Sequence, residues 1–226
     1  MGLSSFLEME DLRVRRGAAA LPEIEISHEG ELIRASRYSE LISVAFSGST
    51  GKSRVVAFTS PDRGAGVSFV SSGVAGELAQ TLQGSVLLIE AAILEAFMSE
   101  GHRDVLAVLN ANRDGNLSTV KAPAFRATKR MYATPPVRSM VEVVDILRSE
   151  FRYIVVDTPS LSKSDVALRH ASIFDAIALV AQAGKTGKSA IGITCRRLQT
   201  AKGNVAGLIC NKREYPIPSW LYKRLY

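Results

Sequence analysis

The stretch RVVAFTSPDRGAGVSFV, residues 54–70, decides how the chain is read. After Arg54 it runs apolar and β-branched without polar alternation, as a strand buried on both faces does. A turn of proline, aspartate and glycine follows, and from Val67 the spacing becomes helical. A strand that passes through a glycine turn into a helix puts the helix's amino end at the strand's carboxyl edge. Backbone N–H groups and a partial positive charge gather there, which suits a phosphate. Gly64 and Gly66 permit close approach of the backbone, and Ser68 stands where a magnesium-binding hydroxyl belongs. The lysine such a loop needs is replaced by Val67. Losing one preorganised charge-stabilising donor costs about 3–4 kcal/mol, or roughly 10²–10³ in rate. Arg63 is the residue read as a possible stand-in.

Two other stretches compete for the role. SGSTGKS, residues 47–53, ends in Gly51-Lys52-Ser53. It precedes the strand, however, so five strand residues at about 3.3 Å each place it roughly 17 Å from the edge where ligands bind. It also has Phe46 where the first glycine belongs, and it reads as a solvated connection. AGKTGKSAI, residues 183–191, follows a strand and opens a helix, but Gln182 stands at its first-glycine position. It reads as a turn and a well-capped helix with exposed lysines, or as a loop lining the same pocket from the side.

Outward from these loops, apolar runs alternate with helical patterns. A helix is expected over 29–46, a strand over 54–60 and a helix over 67–83. A strand over 85–90 leads to short helices over 91–98 and 103–109. A strand over 117–122 precedes an amphipathic helix, VRSMVEVVDILRSE, after Thr134-Pro135-Pro136. The strands YIVVD, FDAIALVAQA and NVAGLIC complete the set, with the helix TGKSAIGITCRRLQTA between the last two. The pattern predicts one α/β domain with a mainly parallel, doubly wound sheet. Residues 1–28 read as an amino-terminal arm, 29–212 as the domain and 213–226 as a tail.

The chain has 226 residues, 46% of them hydrophobic, enough for a sizeable core. No apolar run reaches the roughly 18 residues that span a bilayer. The first residues show no secretory signal, and MGLSSF misses the myristoylation pattern by one place. A net charge of +6 permits an anionic partner. No nucleic-acid-binding signature is present, so nucleic acid is not an expected partner. Cys195 and Cys210 are expected as buried free thiols.

Four motifs in order, VVAFTSPDRGAGVSFV, SVLLIEAAI, FRYIVVDTPS and GLICNKREYPIP, resemble those of the bacterial tyrosine kinases, the cytoplasmic autokinases of capsule and exopolysaccharide systems. That family is related to the MinD/ParA ATPases, and the resemblance covers residues 30–226. It implies a P-loop fold with ATP or ADP and Mg²⁺ bound at three Walker motifs. In the first, Gly64, Gly66 and Ser68 match, while Ala65 replaces an acid and Val67 the lysine. In the second, Glu90 and Ala92 stand for two aspartates. In the third, Asp157 matches a ligand of magnesium-bound water. Asn211 matches an adenine-contacting asparagine after the last strand.

The resemblance further implies a homo-oligomeric ring held by an ExxRxxR helix, here Glu31, Arg34 and Arg37. It implies phosphoacceptor tyrosines near the carboxyl end, here Tyr215, Tyr222 and Tyr226. The same tail, SWLYKRLY, could instead dock on a partner or on an acidic membrane surface. Phosphoryl transfer is positioning and electrostatic stabilisation, and the two positions most charged with it, Val67 and Ala92, are apolar and suit a packed core, not a triphosphate. The expectation is a pseudokinase-like homologue at the inner face of the membrane. It would act through a membrane polysaccharide co-polymerase. An active autokinase with an altered nucleotide site, or a MinD/ParA-like positioning ATPase, are the competing readings.

Overall fold

The computed structural model describes residues 23–25, 38–46, 53–82, 84–98, 109, 113–121 and 139–212. In chain order the first elements are β1 (Glu23–Glu25), α1 (Ser39–Phe46), β2 (Arg54–Thr59), α2 (Val67–Thr81), β3 (Val86–Glu90) and α3 (Ala91–Phe97). A short hairpin follows, β4 (Arg113–Asp114) and β5 (Leu117–Val120). The chain continues through α4 (Met140–Glu150), β6 (Tyr153–Asp157), α5 (Val166–Arg169), β7 (Ala176–Gln182), α6 (Lys188–Thr200) and β8 (Val205–Asn211). The strands form one eight-stranded sheet in the order β1-β8-β7-β2-β6-β3-β5-β4. Every pairing is parallel except that of β4 with β5.

The continuous apolar runs resolve into two faces, because successive side chains of a strand point opposite ways. Val55 and Ala57, Leu87 and Ile89, Ile154 and Val156, and Ile177 and Leu179 enter one core. α3, α4, α5 and α6 cover it through residues such as Phe97, Val143, Leu147 and Leu198. Val56 and Phe58, Val86 and Leu88, Tyr153 and Val155, and Ala178 and Val180 enter the other core, under α1 and α2. Each large apolar side chain withdrawn from water contributes about 1.5–3 kcal/mol. A strand central to such a sheet has no face for polar residues, which is why these runs show no alternation.

Local chemistry sets the helix ends. Ser139 caps α4: its Oγ accepts the Glu142 N–H at 3.2 Å, and a Glu142 carboxylate oxygen accepts the Ser139 N–H at 3.1 Å. This reciprocal box stabilises the helix by about 1 kcal/mol. α6 departs from expectation, since Gly187 precedes it and no side chain caps it. Thr186 turns back instead, its Oγ1 accepting the Gln182 N–H at 2.9 Å.

Three elements were not expected. Glu23–Glu25, read as part of an arm, adds a parallel strand beside β8. Gly115, at φ 56°, turns β4 back onto β5. Val166–Arg169 forms a single helical turn. The expected helix over 29–46 is described from Ser39 onward, and of the one over 103–109 only Leu109 lies among the described residues. Among those residues no helix is long and apolar enough to cross a membrane.

Candidate functional site at the carboxyl edge of the sheet

The glycine turn, residues 60–66, joins β2 to α2. It is laced to the segment after β6, where Leu161 N–H donates to Ser60 O at 2.8 Å and Ser162 N–H to Pro61 O at 3.1 Å. Gly64 and Gly66 hold φ values of 84° and 91°, which other residues adopt only at a cost. Their surroundings differ. A Cβ at Gly64 would meet nothing within 4 Å, whereas one at Gly66 would collide with Nδ2 of Asn211. Gly66 ends the turn and, having no side chain, gives α2 no side-chain cap.

Glu90 and Asp157 close β3 and β6 and are paired in register, so both stand on one face at the strand ends. Burial pushes the Asp157 carboxyl above the usual range, and Glu90 adds to this by like-charge repulsion. A hydrogen bond from Ser68 and the charge of Lys121 pull the other way. Ser68, Glu90 and Asp157, chosen from three separate stretches of sequence, therefore meet. Lys121 joins them from the end of β5; sequence reading passed over it, since a lysine after a strand is unremarkable until β5 is known to flank β3.

Val67 is 9% exposed and packs in the core beneath α2. The position of the loop's lysine is thus filled by a core side chain. Ala92 was expected to be packed as well, and this is corrected: it lies exposed on the first turn of α3, while Ala91, Ile93 and Leu94 take the buried side. No carboxylate stands at that position. Arg63 is exposed at the turn and makes no hydrogen bond or ion pair among the described residues.

Asn211 is 1% exposed at the end of β8. Its Nδ2 donates to Ala65 O at 2.8 Å and its Oδ1 accepts the Lys212 N–H at 2.9 Å. The side chain is thus spent on holding the glycine turn. Lys212 follows with φ 59°, and its Nζ donates to Gly64 O at 2.7 Å. Its signal in the sequence was only its place directly after Asn211.

The 184–187 turn lies at the same edge, after β7, with Lys185 and Lys188 exposed. Lys52, the possible ring contacts Glu31, Arg34 and Arg37, and the tail tyrosines Tyr215, Tyr222 and Tyr226 lie outside the described residues. Cys195 and Cys210 are unbridged but only half-buried, which corrects the expectation of buried thiols. Burial still pushes the Cys195 thiol up.

The donors at this edge suit the groups the fold implies. Backbone N–H groups and an open glycine fit a phosphate chain. Ser68, Glu90 and Asp157 offer only oxygen, as a hard divalent cation prefers. Among the described residues no group of three or more His, Cys, Asp or Glu gathers.

No family model matches the chain, and no curated protein is similar to it in sequence. Solved structures match it in fold. The chimerical protein CapA2B2 aligns with a TM-score of 0.61 at 15% identity, over 86% of this chain and 96% of that one. The kinase domain of the Escherichia coli tyrosine kinase ETK aligns at 0.58 and 20% identity, over 82% and 79%. The kinase domain of VpsO aligns at 0.58 and 23% identity, over 81% and 96%. The chain shares the fold of tyrosine-kinase domains, a mainly parallel α/β sheet of P-loop type.

Proposed function

We propose that the protein is a pseudokinase-like homologue of the bacterial tyrosine kinases, acting in capsule or exopolysaccharide polymerisation or export through a membrane co-polymerase. One observation carries this reading: the frame of a nucleotide site is present while two of its charged positions, 67 and 92, are apolar. The glycine turn, Ser68 and Asp157 converge, yet Val67 is packed into the core and Ala92 carries no acid. A bound magnesium nucleotide would bring the transferable phosphoryl group. The chain's part would be to seat the phosphates on the α2 amino end and to orient the cation through Ser68 and Asp157. With no lysine on the loop, charge developing in transfer goes largely unmatched, and position 92 offers no carboxylate to help hold the cation.

The Ser68–Asp157 contact with Glu90 alongside favours a second reading, an autokinase with an altered site. Incubating the purified chain with magnesium-ATP, with and without the cytoplasmic end of a co-polymerase, separates the two. Mass spectrometry of Tyr215, Tyr222 and Tyr226 is expected to find no phosphate. ATP-dependent phosphotyrosine there would replace the first reading with the second.

A further inference from the structure

We infer that Lys212 supplies the cation that Val67 removed, so that the glycine turn still takes the phosphates of a nucleoside diphosphate. The inference rests on the reading of residues 60–68 as a phosphate loop.

Three observations converge. The first is conformational. Lys212 is one of two non-glycine residues with positive φ among the described residues, at 59°. A side-chain-bearing residue pays for that region, and such outliers cluster at functional sites. Here the left-handed turn points the side chain back over the loop instead of onward with the chain. The second is placement. Nζ lies 2.7 Å from Gly64 O, and Cε would lie 3.7 Å from a Cβ at Gly66. The ammonium thus sits on the two glycines that precede position 67. The third is access. Lys212 is exposed, and space at Gly64 is open within 4 Å of a would-be Cβ. An ammonium has three donors, and the loop carbonyl uses one.

The other cations of this edge fit the role less well. Arg63 is exposed with no bond to the loop, and Lys121 acts on Asp157. A lysine arriving from β8 also differs from one on the loop itself. It is anchored by Asn211, whose Oδ1 accepts its N–H and whose Nδ2 holds Ala65 O. Asn211 and Lys212 then act together, one fixing the turn and the other charging it. Because this cation does not stand on α2, it can hold phosphates without occupying the place where transfer would be assisted. Binding without turnover follows.

Calorimetric titration with magnesium-ADP tests this on the full chain, on Lys212→Ala and on Val67→Lys/Ala92→Asp. Lys212→Ala keeps the same backbone demand, and its unchanged melting temperature serves as the folding control. Binding by the wild type, weakened about ten- to a hundredfold in Lys212→Ala, is the expected result. Equal binding by both overturns the role of Lys212 and leaves the phosphate loop standing. A silent wild type beside a binding double variant also overturns it, and again leaves the loop. Silence of all three, with folded variants, removes the inference and the loop reading together.

Discussion

The two edges of the sheet are built on different principles. At the amino edge, residues just ahead of each strand staple the strands to their neighbours. Ser53 Oγ donates to Phe151 O at 2.6 Å, Ser85 Oγ to Glu150 O at 2.8 Å, and Asn204 Nδ2 to Asp175 O at 2.8 Å. Charge is matched there: Arg148 pairs with Asp175 at 3.0 Å and also donates to Ser53 O, while Asp175 accepts the Val55 N–H at 2.7 Å. At the carboxyl edge, two acids stand side by side, Gly64, Gly66 and Gly184 sit at positive φ, and a lysine bends backward. Matched charge lowers the energy of the fold, whereas like charges raise it. Such costs are tolerated where a ligand offsets them. The fold is secured at one edge and kept ready for chemistry at the other.

The largest effect is expected from Gly66→Ala. It adds left-handed strain and drives Asn211 off the turn, costing about 2–4 kcal/mol in thermal unfolding. Gly64→Ala carries the strain without the collision and is expected to cost about 1–2 kcal/mol. Equal losses would mean that Asn211 does not pack the turn. Next comes Arg148→Ala, which leaves Asp175 with only a backbone partner. A urea titration is expected to show a loss of about 1–3 kcal/mol, since the pair is partly buried. A loss near zero would erase the contrast between the edges.

The smallest effect has the opposite sign. Asp157 has a raised pKa in the fold, chiefly through burial and then through Glu90. Between its ordinary and raised values the folded chain keeps a proton that the unfolded chain has released. Stability therefore falls as pH rises through that window. Asp157→Asn removes the penalty, so the variant is expected to melt roughly 1–3 °C higher at pH 7. The gain should vanish below the ordinary aspartate pKa of about 3.9. A variant less stable at pH 7 would show that Asp157 serves the fold instead of a ligand.

Much of this contrast was legible in the residues, but unevenly. The central strands declared themselves as apolar runs because both faces are covered, and the glycine turn marked the carboxyl edge. Ser68, Glu90 and Asp157 could be named from motifs, since each stands at a strand end or a helix start. The amino-edge staples could not. Arg148 and Asp175 are 27 residues apart, and nothing local says that one reaches the other. Lys212 escaped for a related reason: its role depends on a left-handed residue after β8, and φ is not written in a lysine. Ala92 was misplaced because its burial depends on which side of α3 meets the sheet. β1 and β4, at three and two residues, are too short to carry any periodicity.

Those two short strands matter for life in a crowded cell. An open sheet border presents unpaired N–H and C=O groups on which any extended chain can zip. Here Glu23–Glu25 covers Leu208–Cys210 of β8 at one border, and the other ends in a two-residue strand turned antiparallel. Among the described residues, each outermost strand is shorter than a template that recruits foreign strands. Trimming the amino-terminal segment would convert β8, seven residues long, into such a template. Three residues of β1 thus cover the stretch of β8 that leads directly into Asn211 and Lys212.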